Sequence, residues 1–176
     1  MEKDGLILEG GIALYVWRPA ISEDYRTIAA FPQDENELFH MFPSASYPLN
    51  AEQLETRARE RLFPTVVLHG DDIAAYAILY DRQEDVVWLG NVVVAPAYRG
   101  QGAAPYLPGT MERLAAEQAG VRRLRLSCHH SNPRGLLLYS KLSYRPYEIG
   151  RTERRNGDIV VLVRMEKELT KGGADA

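Results

Sequence analysis

The sequence predicts a mixed α/β fold, in which a twisted and mostly antiparallel sheet contains one central parallel strand pair and carries helices on both faces. Apolar segments flank short polar turns within 65–80 and 143–167, as is typical of hairpins. Between them the order strand, helix, strand requires a right-handed crossover between parallel strands. The 176 residues can bury a full core. We therefore expect a single domain at 12–168, with short termini at 1–11 and 169–176.

The N-terminal part is predicted to supply one strand and two helices. Ile12–Trp17 alternates as a strand, and Ser22 can cap a helix from Glu23 to about Ala30. Residues 31–50 are rich in Pro, Ser and aromatic side chains and are predicted to form a loop. A charged amphipathic helix follows at Ala51–Leu62.

The central part alternates strands and turns before a longer helix. Thr65–His69 and Ile73–Tyr80 flank a polar turn and form a hairpin, and Val86–Ala95 follows as a third strand. A helical pattern then covers Met111–Ala119, with Gly120 as its C-terminal cap.

The C-terminal part is predicted to add a strand, a helix and a hairpin. Val121–Cys128 alternates as the strand parallel to the preceding one. Asn132-Pro133 begins a helix, because proline fits the first turn. The closing hairpin is Ser143–Arg151 and Asp158–Lys167 around Arg154-Arg155-Asn156-Gly157, a type I′ signal.

Composition and charge exclude several classes of protein. The net charge of −3 gives no support for a nucleic-acid partner. No apolar run approaches the ~20 residues that span a bilayer, so no membrane partner is expected. The start lacks a signal-peptide layout, and the single cysteine, Cys128, cannot form an internal disulfide, so we expect a soluble cytoplasmic protein. A homodimer is left open, and the tail at 170–176 is expected to be disordered.

The most informative segment is Arg99-Gly100-Gln101-Gly102-Ala103-Ala104, between a β-branched run and a helical pattern. Gly100 and Gly102 permit positive φ and leave no Cβ between peptide and ligand. Successive backbone N–H groups at the positive end of a helix dipole suit a pyrophosphate, and Arg99 adds a permanent charge. A plain strand-to-helix turn is the alternative. A Walker loop is disfavoured because no Gly-Lys-Ser/Thr is present, and a dinucleotide fold would place its glycines after the first strand.

Three segments resemble the GNAT N-acetyltransferase superfamily. Val93–Ala104 is similar to its coenzyme A pyrophosphate loop, whose spacing here is Arg-x-x-Gly-x-Ala, and Trp17–Asp24 is similar to its opening. Asn132–Tyr144 resembles its Asn-x-x-Ala-x-x-Leu-Tyr-x-Lys-x-Gly-Phe segment, with departures at Gly135, Ser143 and Tyr144. The resemblance implies a GNAT-type sheet, acetyl-CoA as co-substrate without a metal, and direct acetyl transfer to a primary amine of a small molecule, amino acid or peptide.

The resemblance also implies roles for particular residues. The segment 99–104 would bind the pyrophosphate, and Asn132 would contact the pantetheine arm. Tyr139 would reach the coenzyme sulfur and donate a proton to the leaving thiolate. From the residues alone, Asn132 could equally be a helix cap and Tyr139 a core aromatic. The strand backbone at Val92, Val93 and Val94 is the candidate for pairing with the pantetheine amides and stabilising the oxyanion.

The acceptor side is less determined. The segment Phe39–Leu49 is unusually aromatic, so Phe42 and Tyr47 are expected to wall the amine site, unless the loop simply folds onto the core. Asn91 could hold a water there. His129 and His130 are candidate general bases or merely structural residues.

Two functions of different classes stay open at this stage. One is an acetyl-CoA-dependent N-acetyltransferase; the other is a non-catalytic acyl-CoA-binding module. Asn132 together with Tyr139 favours the enzyme. Pro105 and Pro108 are expected to delay or distort the first turns of the central helix, which would weaken coenzyme binding. Cys128 is disfavoured as a nucleophile, because a small buried cysteine on a strand is common.

Overall fold

A computed structural model describes residues 15–154 and 156–170. Its seven strands form one sheet in the order β1-β2-β3-β4-β5-β7-β6. Neighbouring strands are antiparallel except β4 and β5, which are parallel, so the predicted mixed sheet with one central parallel pair is confirmed. The strands are β1 (Tyr15–Pro19), β2 (Leu62–His69), β3 (Asp72–Gln83), β4 (Val86–Val94), β5 (Arg123–His129), β6 (Arg145–Glu153) and β7 (Ile159–Glu168).

Helices cover both faces of the sheet, as predicted. They are α1 (Asp24–Ile28), α2 (Glu35–Met41), α3 (Ala51–Arg59), α4 (Ala103–Glu117) and α5 (Pro133–Lys141). Alternation along β3 divides the core: Ala77 and Leu79 pack in the cluster of α4, whereas Tyr76 and Ile78 pack in the cluster of α1, α2 and α3. This period of two is what a strand buried on both faces requires.

The prediction of a loop throughout 31–50 is wrong, because α2 lies within it. The Asp34 side chain accepts a hydrogen bond from the Glu37 backbone N–H at 2.8 Å. The Glu37 carboxylate in turn accepts one from the Gln33 N–H at 2.9 Å. Asp-x-x-Glu is a helix-start signature, and here it outweighs the aromatic and proline-rich composition that follows.

The prediction that Pro105 and Pro108 delay the central helix is also wrong. Helix α4 begins at Ala103, directly after Gly102, and keeps Pro108 inside it. Pro105 is the third helical residue, whose N–H would have no intrahelical acceptor in any case. Pro108 therefore accounts for the one backbone hydrogen bond that the prolines remove.

Two smaller expectations differ from the structure. Ser22 does not cap α1; its hydroxyl donates to Glu55 at 2.8 Å, and the Asp24 carboxylate accepts from the Ile21 N–H at 2.9 Å. The turn type predicted around Arg155, the first three residues of the predicted strand at 12–17, and residues 171–176 lie outside the described residues. Within the described ranges, no helix is both long and apolar enough to cross a membrane.

Candidate active site

The central parallel strands separate and open a cleft. Strands β4 and β5 are paired only as far as Trp88 opposite Arg125. Beyond that point β4 continues to Val94 beside β3, while β5 continues to His129 beside β7. The cleft between them has a volume of about 990 Å³ and is bounded by α2, the loop before α4 and the start of α5. One edge of β4 from residue 89 onward therefore has no strand partner among the described residues.

The glycine loop stands at the head of α4 at one end of this cleft. Gly100 and Gly102 have φ of +71° and +93°, values that favour glycine. No described residue accepts a hydrogen bond from the backbone N–H groups of residues 101–104. The loop carbonyl of Gln101 instead accepts from the Tyr15 hydroxyl at 2.9 Å. The loop thus presents consecutive free donors at a helix N-terminus, which is an anion-binding arrangement.

Arg99 is not a free charge beside the loop. Its guanidinium donates to both carboxylate oxygens of Glu37 on α2, at 2.8 and 2.9 Å. The hydrogen bonds from Arg99 lower the pKa of Glu37, against the opposing effect of partial burial. Both side chains line the cleft. Arg99 therefore ties α2 to the start of the glycine loop, a contact that sequence spacing gave no means of predicting.

Asn91 lies at an irregularity in β4. Tyr76 pairs with Val93 but Ile78 pairs with Gly90, so β4 holds one extra residue there. Asn91 itself has φ of +51°, as expected of a β-bulge that redirects a side chain. Its amide donates to the Met41 carbonyl at 3.0 Å, at the end of α2. Asn91 lines the cleft and also fixes the helix from which the acceptor loop departs.

Asn132 and Gly135 form the start of α5. The Asn132 side chain accepts a hydrogen bond from the Gly135 N–H at 3.0 Å, so Asn132 is the helix cap. A Cβ on Gly135 would lie 2.7 Å from Asn132 Nδ2 and 3.0 Å from Cys128 Sγ. Both distances are too short for a side-chain carbon. This explains why position 135 is glycine, where the segment that it resembles in the GNAT superfamily has alanine. All three residues line the cleft.

Tyr139 is buried in the cleft wall, 7% exposed, with its ring 5.7 Å from that of Tyr144. Burial raises the pKa of the Tyr139 phenol, so the group is protonated at neutral pH. Its hydroxyl makes no hydrogen bond to another described side chain. Burial also raises the pKa of the neighbouring Cys128 thiol to about 12, which leaves almost no thiolate at neutral pH.

The histidines after β5 differ from one another. His129 lines the cleft, is 5% exposed and packs against Phe39 in a tilted arrangement with ring centroids 4.5 Å apart. Burial, together with His40, Arg154 and His130, lowers the pKa of His129 to about 4. His130 is exposed, and its Nδ1 accepts a hydrogen bond from the Val161 N–H at 3.2 Å. Only His129 of this pair is in the cleft, as a neutral imidazole.

The two predicted acceptor-site aromatics separate. Phe42 is buried and lines the cleft, whereas Tyr47 is 47% exposed, lines a separate small depression and donates its hydroxyl to the Gln33 carbonyl at 3.2 Å. The structure does not bring Tyr47 to the cleft, because the chain leaves the cleft lining after Ser44. The acceptor side contains instead Arg57 and Arg61, from the end of α3 and just after it.

Most of the predicted site residues converge, and several unpredicted ones join them. The cleft is lined by Asn91, Val92, Val93, Val94, Arg99, Gly100, Ala104, Asn132 and Tyr139, with Gln101, Gly102 and Ala103 outside its lining. Sequence reasoning missed Glu37, Arg57 and Arg61. The Asp34–Glu37 spacing could have revealed Glu37 through its helix start, but nothing local marks the two arginines of a charged helix as facing a cleft.

Comparisons with known proteins agree with this geometry. The model of the Acetyltransferase (GNAT) family matches residues 16–144. Among solved structures, spermidine N-acetyltransferase from Vibrio cholerae, in complex with CoA and spermine, has a TM-score of 0.75 at 17% identity; the match covers 89% of this chain and 96% of that one.

Two further structures are similar over most of the chain. The ribosomal-protein-S18-alanine N-acetyltransferase from Escherichia coli has a TM-score of 0.68 at 20% identity, covering 92% of this chain and 98% of that one. The protein yncA from Salmonella typhimurium, solved with its cofactor acetyl-CoA, has a TM-score of 0.70 at 17% identity, covering 92% and 98%. At these identities the likeness establishes the fold.

Proposed function

The chain belongs to the acetyltransferase (GNAT) family, and from that premise we propose that it is an N-acetyltransferase which transfers the acetyl group of acetyl-CoA directly to a primary amine. The observation that carries the proposal is the run of backbone N–H groups at 101–104 that no described residue accepts from, at the end of the same cleft that contains Tyr139. Acyl transfer from the thioester of a pyrophosphate-bearing coenzyme needs a phosphate-binding loop and a proton donor at the same cleft.

The residues present fit the coenzyme. Gly100 and Gly102 hold positive φ, and nothing lies within 4 Å of a Cβ at Gly100, so the loop backbone is open to a pyrophosphate. The unpaired edge of β4 beyond Trp88 offers N–H and C=O groups to an extended amide-bearing chain. Asn132, at the start of α5, borders the same path.

The coenzyme supplies an activated acetyl group as a thioester. The chain's own task is to stabilise negative charge on the carbonyl oxygen and to protonate the departing sulfur. Backbone N–H groups of Val92–Val94 on the free edge of β4 are suited to the first task. Tyr139 is suited to the second, because burial keeps its phenol protonated. A thiolate released in a buried site is poorly solvated, so it is a stronger base there than in water. This favours proton transfer from Tyr139 to the sulfur.

The attacking amine must lose a proton. His129 is the uncharged imidazole that lines the cleft, with its pKa lowered to about 4. It can accept a hydrogen bond from the amine or from an intervening water, and the proton that the amine loses then passes through water to the solvent at the cleft mouth. Cys128 is unsuited to a covalent acyl-enzyme, because its pKa of about 12 disfavours the thiolate. Direct attack is therefore the mechanism we propose.

Binding and turnover test the proposal together. Acetyl-CoA at millimolar concentration should raise the melting temperature, while ATP and NAD should not, because only a ligand bound to the folded state stabilises it. Thiol release with a panel of primary amines should then exceed hydrolysis without amine. Stabilisation by ATP alone would contradict the coenzyme assignment. Stabilisation by acetyl-CoA without turnover of any amine would favour a non-catalytic acyl-CoA-binding module.

The same proposal includes a cytoplasmic location for a single catalytic domain. The free thiol of Cys128 is buried and suits a reducing compartment. Fractionation of the native host's cells, with detection of the protein by antibody, would test the location.

A further inference from the structure

Two arginines stand on the acceptor side of the cleft without full charge compensation. The Arg61 guanidinium lies over the Tyr80 ring at 5.0 Å, and its Nε is buried without a hydrogen-bond partner among the residues that the structure describes. The Arg57 guanidinium lies over the Phe42 ring at 5.2 Å. Because an unsatisfied buried donor is costly, the orphaned Nε of Arg61 indicates that something else supplies its acceptor.

The remaining contacts of Arg57 are weak. It donates to the Ser44 hydroxyl at 3.2 Å. Its ion-pair partner, Glu60, is 3.7 Å away and has a side chain that is 67% exposed. An exposed pair at that distance contributes little, so Arg57 keeps most of its positive charge directed at the cleft.

The charges of the whole cleft point the same way. Glu37 is the only carboxylate that lines it in the part of the chain that the structure describes, and both its oxygens are occupied by Arg99. No carboxylate is therefore left to receive a second ammonium group of an acceptor. The potential on this side favours an anion and repels a polycation.

We propose that the acceptor is an amine that also bears an anionic oxygen group, either a carboxylate or a phosphate-type group, and that Arg61 binds this group with Arg57 beside it. A guanidinium offers parallel donors that match such a group, and the contact with the Tyr80 ring holds the Arg61 guanidinium at the cleft wall. The proposal rests on the acetyltransferase function proposed above and names its substrate class.

Matched amine pairs test this assignment. The twenty α-amino acids are compared with their amides, which tests recognition of a carboxylate. Ethanolamine phosphate is compared with ethanolamine, which tests recognition of a phosphate. Spermine serves as the polycation. With saturating acetyl-CoA, thiol release should give kcat/KM at least tenfold higher for the anionic member of the preferred pair. Arg61→Gln should bring this ratio close to one, and Arg61→Lys should lower it severalfold, because an ammonium lacks the planar fork.

Control variants distinguish failure of this substrate-class proposal from failure of the proposed acetyltransferase function. Arg59→Gln should leave the ratio unchanged, because Arg59 is 75% exposed and pairs with Glu55 away from the cleft. Should Arg61→Gln fail to fold, Arg61→Lys and Arg57→Gln carry the test, with the latter lowering the ratio. Equal use of acids and amides, a preference for spermine, or no turnover of any anionic amine overturns the proposal. Turnover of neutral amines at least as efficient as that of their anionic counterparts, with stabilisation by acetyl-CoA, would overturn it while leaving the acetyltransferase function standing.

Discussion

The hydroxyl of Tyr15 donates a hydrogen bond to the backbone carbonyl of Gln101, 86 positions further along the chain, at 2.9 Å. The first strand thereby holds the glycine loop so that its carbonyl faces the core and its N–H groups face outward. Tyr15→Phe should raise the Kd for coenzyme A roughly fivefold to tenfold, since one hydrogen bond is worth about 1 kcal/mol. Calorimetric titration measures the change.

Tyr106→Phe is the matched control for that variant. The Tyr106 ring lies 5.7 Å from that of Tyr15, so its substitution tests loss of a nearby hydroxyl without loss of the loop contact. An equal loss of affinity in both variants would show that the Tyr15 contact does not position the loop.

Gly102→Val should abolish coenzyme binding in a protein that still folds. Gly102 has φ of +93°, which a β-branched residue tolerates poorly, while its Cβ would find only Tyr15 Cε2 at 3.7 Å. The strain of valine at this position therefore changes the conformation of the loop and leaves the core intact. Gly109→Ala is the control, because nothing lies within 4 Å of a Cβ there, and it should stabilise α4 by about 0.5–1 kcal/mol. Unchanged coenzyme affinity in Gly102→Val would reduce the glycine to a turn residue.

Local patterns were enough to predict much of this fold and part of its site. The glycine loop and the Asn132–Tyr139 spacing depend on neighbours within two helical turns, so the sequence displays them directly. The composition of 31–50 predicts a loop, but the capping pair Asp34 and Glu37 starts α2 there. The two prolines of α4 disturb it less than their number suggests, because Pro105 falls where a helix needs no N–H donor.

Other features depend on contacts between distant segments. The pairing of Arg99 with Glu37 spans 62 positions, and the placement of Arg61 over Tyr80 depends on how β2 pairs with β3, where Leu62 lies opposite Leu79. In the sequence Gly135 is only a small departure from a family pattern. The structure explains the glycine by the proximity of the Cys128 sulfur on β5. Periodicity indicates which face of a helix is apolar but not where a charged face meets a cleft.

Tyr139→Phe should lower kcat by roughly a hundredfold while the Kd for acetyl-CoA stays near the wild-type value, since only the proton donor is removed. Steady-state kinetics with calorimetric titration separates these effects. Tyr144→Phe is the control: its ring packs against that of Tyr139 but does not line the cleft, so kcat should be unaffected. An unchanged kcat in Tyr139→Phe would return Tyr139 to a packing role.

His129 should make the protein less stable in mild acid. Its pKa is lowered to about 4 in the folded protein from the ordinary histidine value of about 6.5, so between these values the unfolded chain binds the additional proton. Above pH 6.5 the titration of His129 does not change the free energy of unfolding. As the pH drops from 6.5 to 4, the free energy of unfolding falls by about 3 kcal/mol in all. Urea unfolding of wild type and His129→Gln across this range measures it. The variant should show a shallower fall, and parallel curves would contradict the assignment.

Only one of the two aromatic side chains predicted for the acceptor wall lies in the cleft. Phe42 lines the cleft and lies beneath Arg57, whereas Tyr47 faces a separate depression. Phe42 is only 6% exposed, so truncation to alanine would cost roughly 3–5 kcal/mol and obscure any effect on binding. Phe42→Leu retains most of the packing.

Phe42→Leu should raise the KM for the amine roughly tenfold, because the surface beneath the acceptor and beneath Arg57 loses its ring. The KM for acetyl-CoA should stay within about twofold, since the glycine loop and α5 are untouched. Tyr47→Leu, an exposed aromatic outside the cleft, should change neither constant. Steady-state kinetics with each substrate varied in turn decides the matter. A rise in both KM values for Phe42→Leu would assign Phe42 to the core alone, and a rise in the amine KM for Tyr47→Leu would place the acceptor on the other side of the loop.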